Sequence, residues 1–593
     1  MKTRKRSVSV VALAAGLALI AAACGSDKKS ETTSAASAPT TAGVTTTAGA
    51  TTTEGGASTT EAPGATSGTA SSTPASGSGM KLTYEINPKA VWDDGSPITV
   101  KDFQCTFEAT MGTTGTLTTT GYDQITSVDQ GASDHEVVVT LKSVYAPYKN
   151  LFANPGPLKA AAFPNGCKDI SADLQDSIPF SSRPYKLDSW SPDQAVLTKN
   201  DKYWGDDTAK VSKVVIVPKT DTDTELASLK SGEVDFIFPQ AANGITEALD
   251  DPNIKYTPGY GVQYESLWFQ QKTGPFSDPA FRKGFAHMID RDEILKNIYD
   301  PLFPGSELLN CGAWVPTIGK WCDQSDYANF HDEAAGEKFL TDGGYTKNSS
   351  GMWEKDGKVP EIRWVITAGN KRREDTQALM IPEFKKLGFN VVQDNCDAAC
   401  VFQKRLPALD YDLAMYIWVA SPDPTVTTIL ACENIPSDAN QGAGQNTAAW
   451  CNEEATDLMH QSDAELDVSK REEEIHQIGK LMVDDAVSVP LYQFPNIAAW
   501  RTDKLDGPVD ADAANYQAFQ NINEWTVKSG DQITVGAEQW PDCINPITQC
   551  ANSSWAAWTT FMKVVMNAYD TTAAGDFAVT PLLTGEPKVE VLS

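Results

Sequence analysis

WDDGSPITVKDF, residues Trp92–Phe103, packs a turn and a helix start into twelve residues. Asp94-Gly95 reads as a turn, with the glycine supplying backbone angles other residues avoid. Thr99 and Asp102 follow at capping-box spacing and predict a helix N-terminus. Outward from this stretch, strands and helices alternate from Lys81 to about Lys528, the pattern of α/β lobes. Thr224–Lys230 reads as a short helix stopped by Gly232, a good left-handed cap, before a strand over Val234–Phe238. Ser469 and Glu472 have the spacing of a second capping box, and Ile475, Ile478 and Met482 give that helix a core-facing stripe. Pro382, inside the helical pattern Gln377–Leu387, is expected to kink or split it. Asp290 and Arg291 suit a helix terminus or an ion pair. Asp423-Pro424 suits the start of a helix, with the aspartate as cap.

The chain has 593 residues, too many for one core, and its 41% hydrophobic and 9% aromatic content is that of a folded protein. A formal net charge of -30 argues against a nucleic-acid partner and points only weakly to a cationic ligand. Residues 1–23 read as a signal peptide: Lys2, Arg4, Lys5 and Arg6 precede an apolar run, Val8–Ala22. Ala21–Ala23 before Cys24, with Gly25 and Ser26 after it, resemble a lipobox, although Ala21 stands where most lipoboxes have leucine. Cleavage before an acylated Cys24 is one reading, and cleavage after an A-x-A site with a free Cys24 is the other. Residues 24–79 are a Ser/Thr/Ala/Gly/Pro tract with too little apolar bulk to fold, expected to act as a lipidated tether. No later apolar run approaches the ~20 residues of a membrane span.

Without Cys24, ten cysteines remain as near neighbours: Cys105 and Cys167, Cys311 and Cys322, Cys396 and Cys400, Cys432 and Cys451, Cys543 and Cys550. Five local disulfides in an oxidising compartment are the simplest reading, although spacing does not fix their connectivity. A metal site is the rival. No CxxC occurs, and the five histidines are scattered, so neither a metal nor a cofactor is expected.

Trp92–Phe103 belongs to a larger set of landmarks: LTKNDKYWGDD (Leu197–Asp207), SLKSGEVDFIF (Ser228–Phe238), GPFSDPAFRKGFAHMIDRDEI (Gly274–Ile294), IPEFKKLGFNV (Ile381–Val391), YDLAMYIWVASPDP (Tyr411–Pro424) and SVPLYQF (Ser488–Phe494). Together they resemble family 5 of the bacterial extracellular solute-binding proteins, the peptide/nickel-type receptors of ABC importers. The resemblance implies an α/β, two-lobed periplasmic-binding-protein-like fold of class II type, with an extra subdomain on lobe one and two hinge strands around a cleft. Arg183 in SSRPYKL departs from it, standing where the family usually has glycine.

Order is the larger departure. The family's opening strand and helix are matched here only near the end of the chain, by ITVGAEQWPDCINP (Ile533–Pro546) and the apparent helix Trp555–Met566. They directly follow the family's closing segment, NINEWTVK (Asn521–Lys528). A circularly permuted order is one reading, and an appended part of a second copy is the other. Permutation places the extra subdomain at 80–182 with strands from 571–593, lobe one at 183–262 and 486–570, and lobe two at 263–485. It also sets Ser593 beside Lys81.

The resemblance places the ligand between the lobes. Trp418 is the first expected contact. In dipeptide-type receptors an aspartate three places beyond this tryptophan pairs with the peptide α-amino group; here that place holds Ser421. A nickel-chelate-type relative has tyrosine where Pro422 stands. Further candidates are Asn552 and Trp555 after the opening strand, Tyr122 in the extra subdomain and Tyr264 near the lobe crossing. Arg372 and Arg373 suit either an anion clamp or a solvated loop. The expected function is capture of an oligopeptide or peptide-like solute by a monomeric lipoprotein outside the cytoplasmic membrane, for delivery to an ABC permease. A nickel-chelate or other small-solute receptor is the alternative within the class. A surface sensor or adhesion lipoprotein, or an enzyme, are the alternatives outside it. No GxSxG, HExxH or P-loop motif supports an enzyme.

Overall fold

The computed structural model describes residues 79–242, 244–509, 518–572 and 574–592. The expected signal peptide, Cys24, the tether up to residue 78 and Ser593 lie outside the described residues.

Ten strands form one mixed sheet in the order Asn390–Gln393, Glu361–Val365, Leu413–Val419, Ile254–Phe269, Ser488–Arg501, Phe236–Ile237, Gln532–Ala537, Lys213–Pro218, Gln194–Lys199, Tyr185–Ser191. Ile254–Phe269 and Ser488–Arg501 are the long members, 16 and 14 residues, and they run antiparallel. Their register slips between Pro490 and Tyr492 and again between Gln493 and Pro495. Proline has no N–H for the ladder, so such slips are expected where it interrupts a strand. The Ser488–Arg501 strand ties the molecule's cores together. Ala498 and Trp500 sit in a first hydrophobic cluster, Val489 and Leu491 in a second.

Gln532–Ala537 lies deep in this sheet, parallel to both Lys213–Pro218 and Phe236–Ile237. Its Ile533 and Val535 are fully buried, as a near-continuous apolar run in a parallel strand should be. The helical stretch that follows runs Ser554–Val564, with a wider π turn over Ala557–Phe561. A second, antiparallel sheet has the order Ile125–Gln130, Glu136–Leu141, Met80–Glu85, Lys588–Val591. Met80 faces Val591, Lys81 Nζ is 2.9 Å from Glu590, and the Leu592 N–H donates to Gly79 O at 2.8 Å. Leu82, Tyr84, Val137 and Val139 fill one face of this sheet, in one core with Phe103 of helix Val100–Gly112.

The local signals behave unevenly. The Thr99–Asp102 capping box forms, and Gly95 turns at φ +86° with its N–H on Trp92 O. Helix Thr222–Ser231 starts on Asp221 and ends on Gly232 at φ +77°. The strand after it is shorter than expected, Phe236–Ile237, because the Val234 N–H is taken by Ser228 O in the helix cap. Ser469 does not cap its helix. Asp467 does, accepting from the Ser469 and Lys470 N–H groups, since a carboxylate gains from the helix dipole as well as the hydrogen bonds. Pro382 does not divide its helix, which runs Lys371–Leu387. Thr376, Gln377, Met380 and Phe384 are buried on both sides of the proline and hold the two halves in place. Arg183 adopts no left-handed angle; its guanidinium bonds Val565 O and pairs with Asp570 at 2.8 Å. All five near-neighbour cysteine pairs are disulfide-bonded.

Candidate functional site

Trp418 and Tyr264 are directly opposed across the antiparallel pair Leu413–Val419 and Ile254–Phe269. That pairing puts both rings on one face of the sheet. On the central parallel strand Gln532–Ala537, separated from this pair by two strands, Ala537 is followed by Glu538 and Gln539, at the carboxyl end where open α/β sheets place their ligands. The helical stretch after it brings in Trp555 and, three residues on, Trp558, their ring centroids 5.6 Å apart. These surfaces enclose a cavity of about 360 Å³, within the range of small-molecule sites. Trp418, Ser421, Tyr122, Tyr264, Asn552 and Trp555, expected as ligand contacts from separate stretches of sequence, all line it.

Several of these side chains are already engaged. Trp555 Nε1 donates to Glu538 Oε1 at 3.0 Å. Tyr122 accepts the Phe152 N–H at 2.9 Å. Asn552 donates to Phe402 O at 2.6 Å and accepts from Gln445 at 3.0 Å. The Ser421 hydroxyl donates to Asn150 Oδ1 at 2.8 Å, and Asn150 donates on to Asp423 O. Asp423 caps no helix, contrary to expectation; the next helix starts at Thr427. Its carboxylate instead pairs with Arg471 at 2.6 Å, and Arg471 also donates to Pro424 O. A buried guanidinium with a charged partner is a stronger attraction than a helix terminus.

The two walls of the cavity are cross-braced by further bonds. Gly444 N donates to Leu117 O at 2.8 Å, and Ala146 N to Asp463 O at 2.6 Å. Gln403 donates to Cys550 O at 2.9 Å, beside a Lys404–Asp542 ion pair at 2.7 Å. Cys543–Cys550 and Cys432–Cys451 each close a loop that carries such a contact.

Arg372 and Arg373 do not lie in a solvated loop, and Arg373 lines the cavity. Both are buried in the first turn of helix Lys371–Leu387 and share Glu265, which is itself buried. Arg372 also donates to Gln240 at 2.7 Å, and Arg373 to Thr367 at 3.0 Å. Glu265 comes from a strand more than a hundred residues upstream, so sequence spacing gave no sign of it. Asp290 does cap a helix, and Arg291 is buried against the Leu309, Pro490 and Tyr327 carbonyls.

Sequence reading missed Glu538. It is 9% exposed, lines the cavity, and accepts bonds from Gln240, Gln539 and Trp555. Burial pushes its carboxyl up to about 7, against hydrogen bonds from Gln240 and Trp555 and the charges of Arg373 and Arg372. Glu225, fully buried nearby, is raised well above the carboxylate range, first by burial and then by Glu538. The position of Glu538 just beyond a central parallel strand was the signal that could have found it. Among the described residues no cluster of three or more His, Cys, Asp or Glu side chains is placed to hold a metal, and no helix is long and apolar enough to cross a membrane.

Residues 65–435 match the bacterial extracellular solute-binding proteins, family 5 (middle), and the chain belongs to that family. It is 25% identical over 429 residues to the oligopeptide-binding protein OppA of Mycobacterium tuberculosis (strain H37Rv), covering 71% of this chain and 70% of that one. Its fold is similar to that of the oligopeptide-binding protein AppA from Bacillus subtilis, solved with a nonapeptide (TM-score 0.66, 21% identity, 76% of this chain and 87% of that one). It is also similar to NikZ from Campylobacter jejuni, solved with Ni(L-His) (TM-score 0.64, 17% identity, 75% and 88%). The α/β, two-lobed periplasmic-binding-protein-like architecture follows, in an extracytoplasmic family.

Proposed function

We propose that the protein captures an oligopeptide or peptide-like solute between its two lobes and presents the closed form to an ABC permease. The observation that carries this is the convergence of Trp418, Tyr264, Tyr122, Asn552 and Trp555 on one aromatic cavity whose walls are bonded to each other across it. Lobe closure alone accounts for capture, and no catalytic step is needed. In this reading the chain is a monomer, held at the outer face of the cytoplasmic membrane through acylated Cys24. Its segment order is permuted, lobe one being built from 183–262 and 486–570, lobe two from 263–485, and the extra subdomain from 80–182 and 571–593. The placement of Gln532–Ala537 inside the main sheet, and of Met80 against Val591, supports that order. Isothermal titration of the purified protein with pooled peptides of two to nine residues tests the assignment. Saturable binding that Trp418→Ala weakens supports it, and no binding by any pool sinks it.

A further inference from the structure

The cavity wall carries almost no free charge. Among the described residues its charged side chains are Arg373 and Glu538. Arg373 is held through two of its nitrogens, with Nε 2.8 Å from Glu265 and Nη1 3.0 Å from Thr367. No lysine or histidine among the described residues lines the cavity. Glu538 is placed differently. The hydrogen bonds it receives from Gln240, Gln539 and Trp555 all land on Oε1, which leaves Oε2 for a ligand. Arg372 and Arg373 are near enough to act on its carboxyl, yet their own hydrogen bonds go to Glu265, Gln240, Ala241 and Thr367. The loop after Trp418 offers no rival carboxylate: Ser421 is neutral and Asp423 is held by Arg471. Four buried polar atoms of residues lining the cavity have no partner within the chain, namely Gln263 Oε1, the Tyr264 hydroxyl, Trp314 Nε1 and Ser553 Oγ. Buried polar atoms without partners in the chain call for partners from outside it, and at a cavity wall a ligand's polar groups can supply them.

We infer that the captured solute carries an ammonium or guanidinium group and no carboxylate, with the cation on Glu538 and the apolar body between Trp418, Trp555 and Trp558. This rests on the capture function proposed above and narrows its substrate class. A buried carboxylate would meet only Arg373, already bonded to Glu265 and Thr367, and would lie beside the Glu538 carboxyl, and a poorly paired buried charge is strongly unfavourable. A cation on Glu538 gains a charge-assisted hydrogen bond and relieves that carboxylate's own burial. Peptides would then enter as amides rather than free acids.

Titration calorimetry at pH 7.5 with one leucine–tryptophan–leucine tripeptide, as free acid, amide, N-acetylated acid and N-acetylated amide, together with tryptamine, tests this. The amide should bind at least tenfold more tightly than the free acid, and N-acetylation should remove the gain. Glu538→Gln should bring the amide down to its N-acetylated form, while Glu538→Asp keeps the preference and controls for folding. A free acid that binds as tightly as the amide, or an amide unaffected by Glu538→Gln, overturns the inference and leaves peptide capture standing. Tryptamine binding with no peptide binding does the reverse. Binding of no probe at all overturns both.

Discussion

Replacing Glu538 by glutamine should change how the stability of the ligand-free protein depends on pH. Its carboxyl is pushed up to about 7, against an ordinary glutamate value of 4.5. Between those two values the folded state holds a proton that the unfolded state has released. Stability from this group is therefore full below about 4.5 and is lost as pH rises through 7. Integrated from pH 5 to pH 7, one such group removes about 2 kcal/mol. For a folded body of this size that is ~2 °C in Tm. Glutamine keeps the shape and does not titrate, so the wild-type Tm minus the Glu538→Gln Tm should fall by ~2 °C over that range. Subtraction removes the other carboxyls that titrate there, including buried Asp463, which burial raises to about 6. Glu225 faces Glu538 and shifts in the same direction, so the slope belongs to the pair and Glu225→Gln should also flatten it. Differential scanning calorimetry in buffers of matched ionisation enthalpy reads this directly. Parallel Tm profiles for wild type and both variants would refute the account of Glu538 as a buried, protonating wall residue.

Trp418→Ala should weaken solute binding about 30-fold, the loss of one stacking aromatic worth about 2 kcal/mol, while moving Tm little because the ring is half-exposed at the cavity. Titration calorimetry and a melt on the same sample check both halves. Glu265→Ala strands the buried Arg372 and Arg373 guanidinium groups and should cost about 3–5 kcal/mol in urea unfolding, far more than Trp418→Ala. Paired replacement of Cys432 and Cys451 by serine reopens a 19-residue separation and should lose about 3 kcal/mol. Because Gly444 lies in that loop and donates to Leu117 across the cavity, the same variant should release bound solute faster in stopped flow.

What the sequence disclosed was local. The Thr99–Asp102 box, the Gly232 cap and the near-neighbour cysteines each act within a few residues to a few tens of residues, so their chemistry is visible in one stretch of chain. What it concealed depended on pairing between distant segments. That Arg372 and Arg373 are buried follows from Glu265, on a strand more than a hundred residues earlier. Asp423 looked like a helix cap because nothing near it names Arg471, 48 residues on, as its partner. Ser469 lost its capping role to a closer carboxylate, a contest two residues wide that spacing rules alone do not decide. The site was half legible. The family landmarks pointed to Trp418 and its loop, but the register that opposes it to Tyr264 and the charge balance that singles out Glu538 exist only in the folded chain.

The most direct test of solute capture is native mass spectrometry of the protein exported by its own cells and purified without denaturation. The account predicts one solute of a few hundred daltons bound per chain, absent from Trp418→Ala prepared in parallel. A polypeptide at its bare mass, indifferent to every peptide and amine supplied, would contradict it.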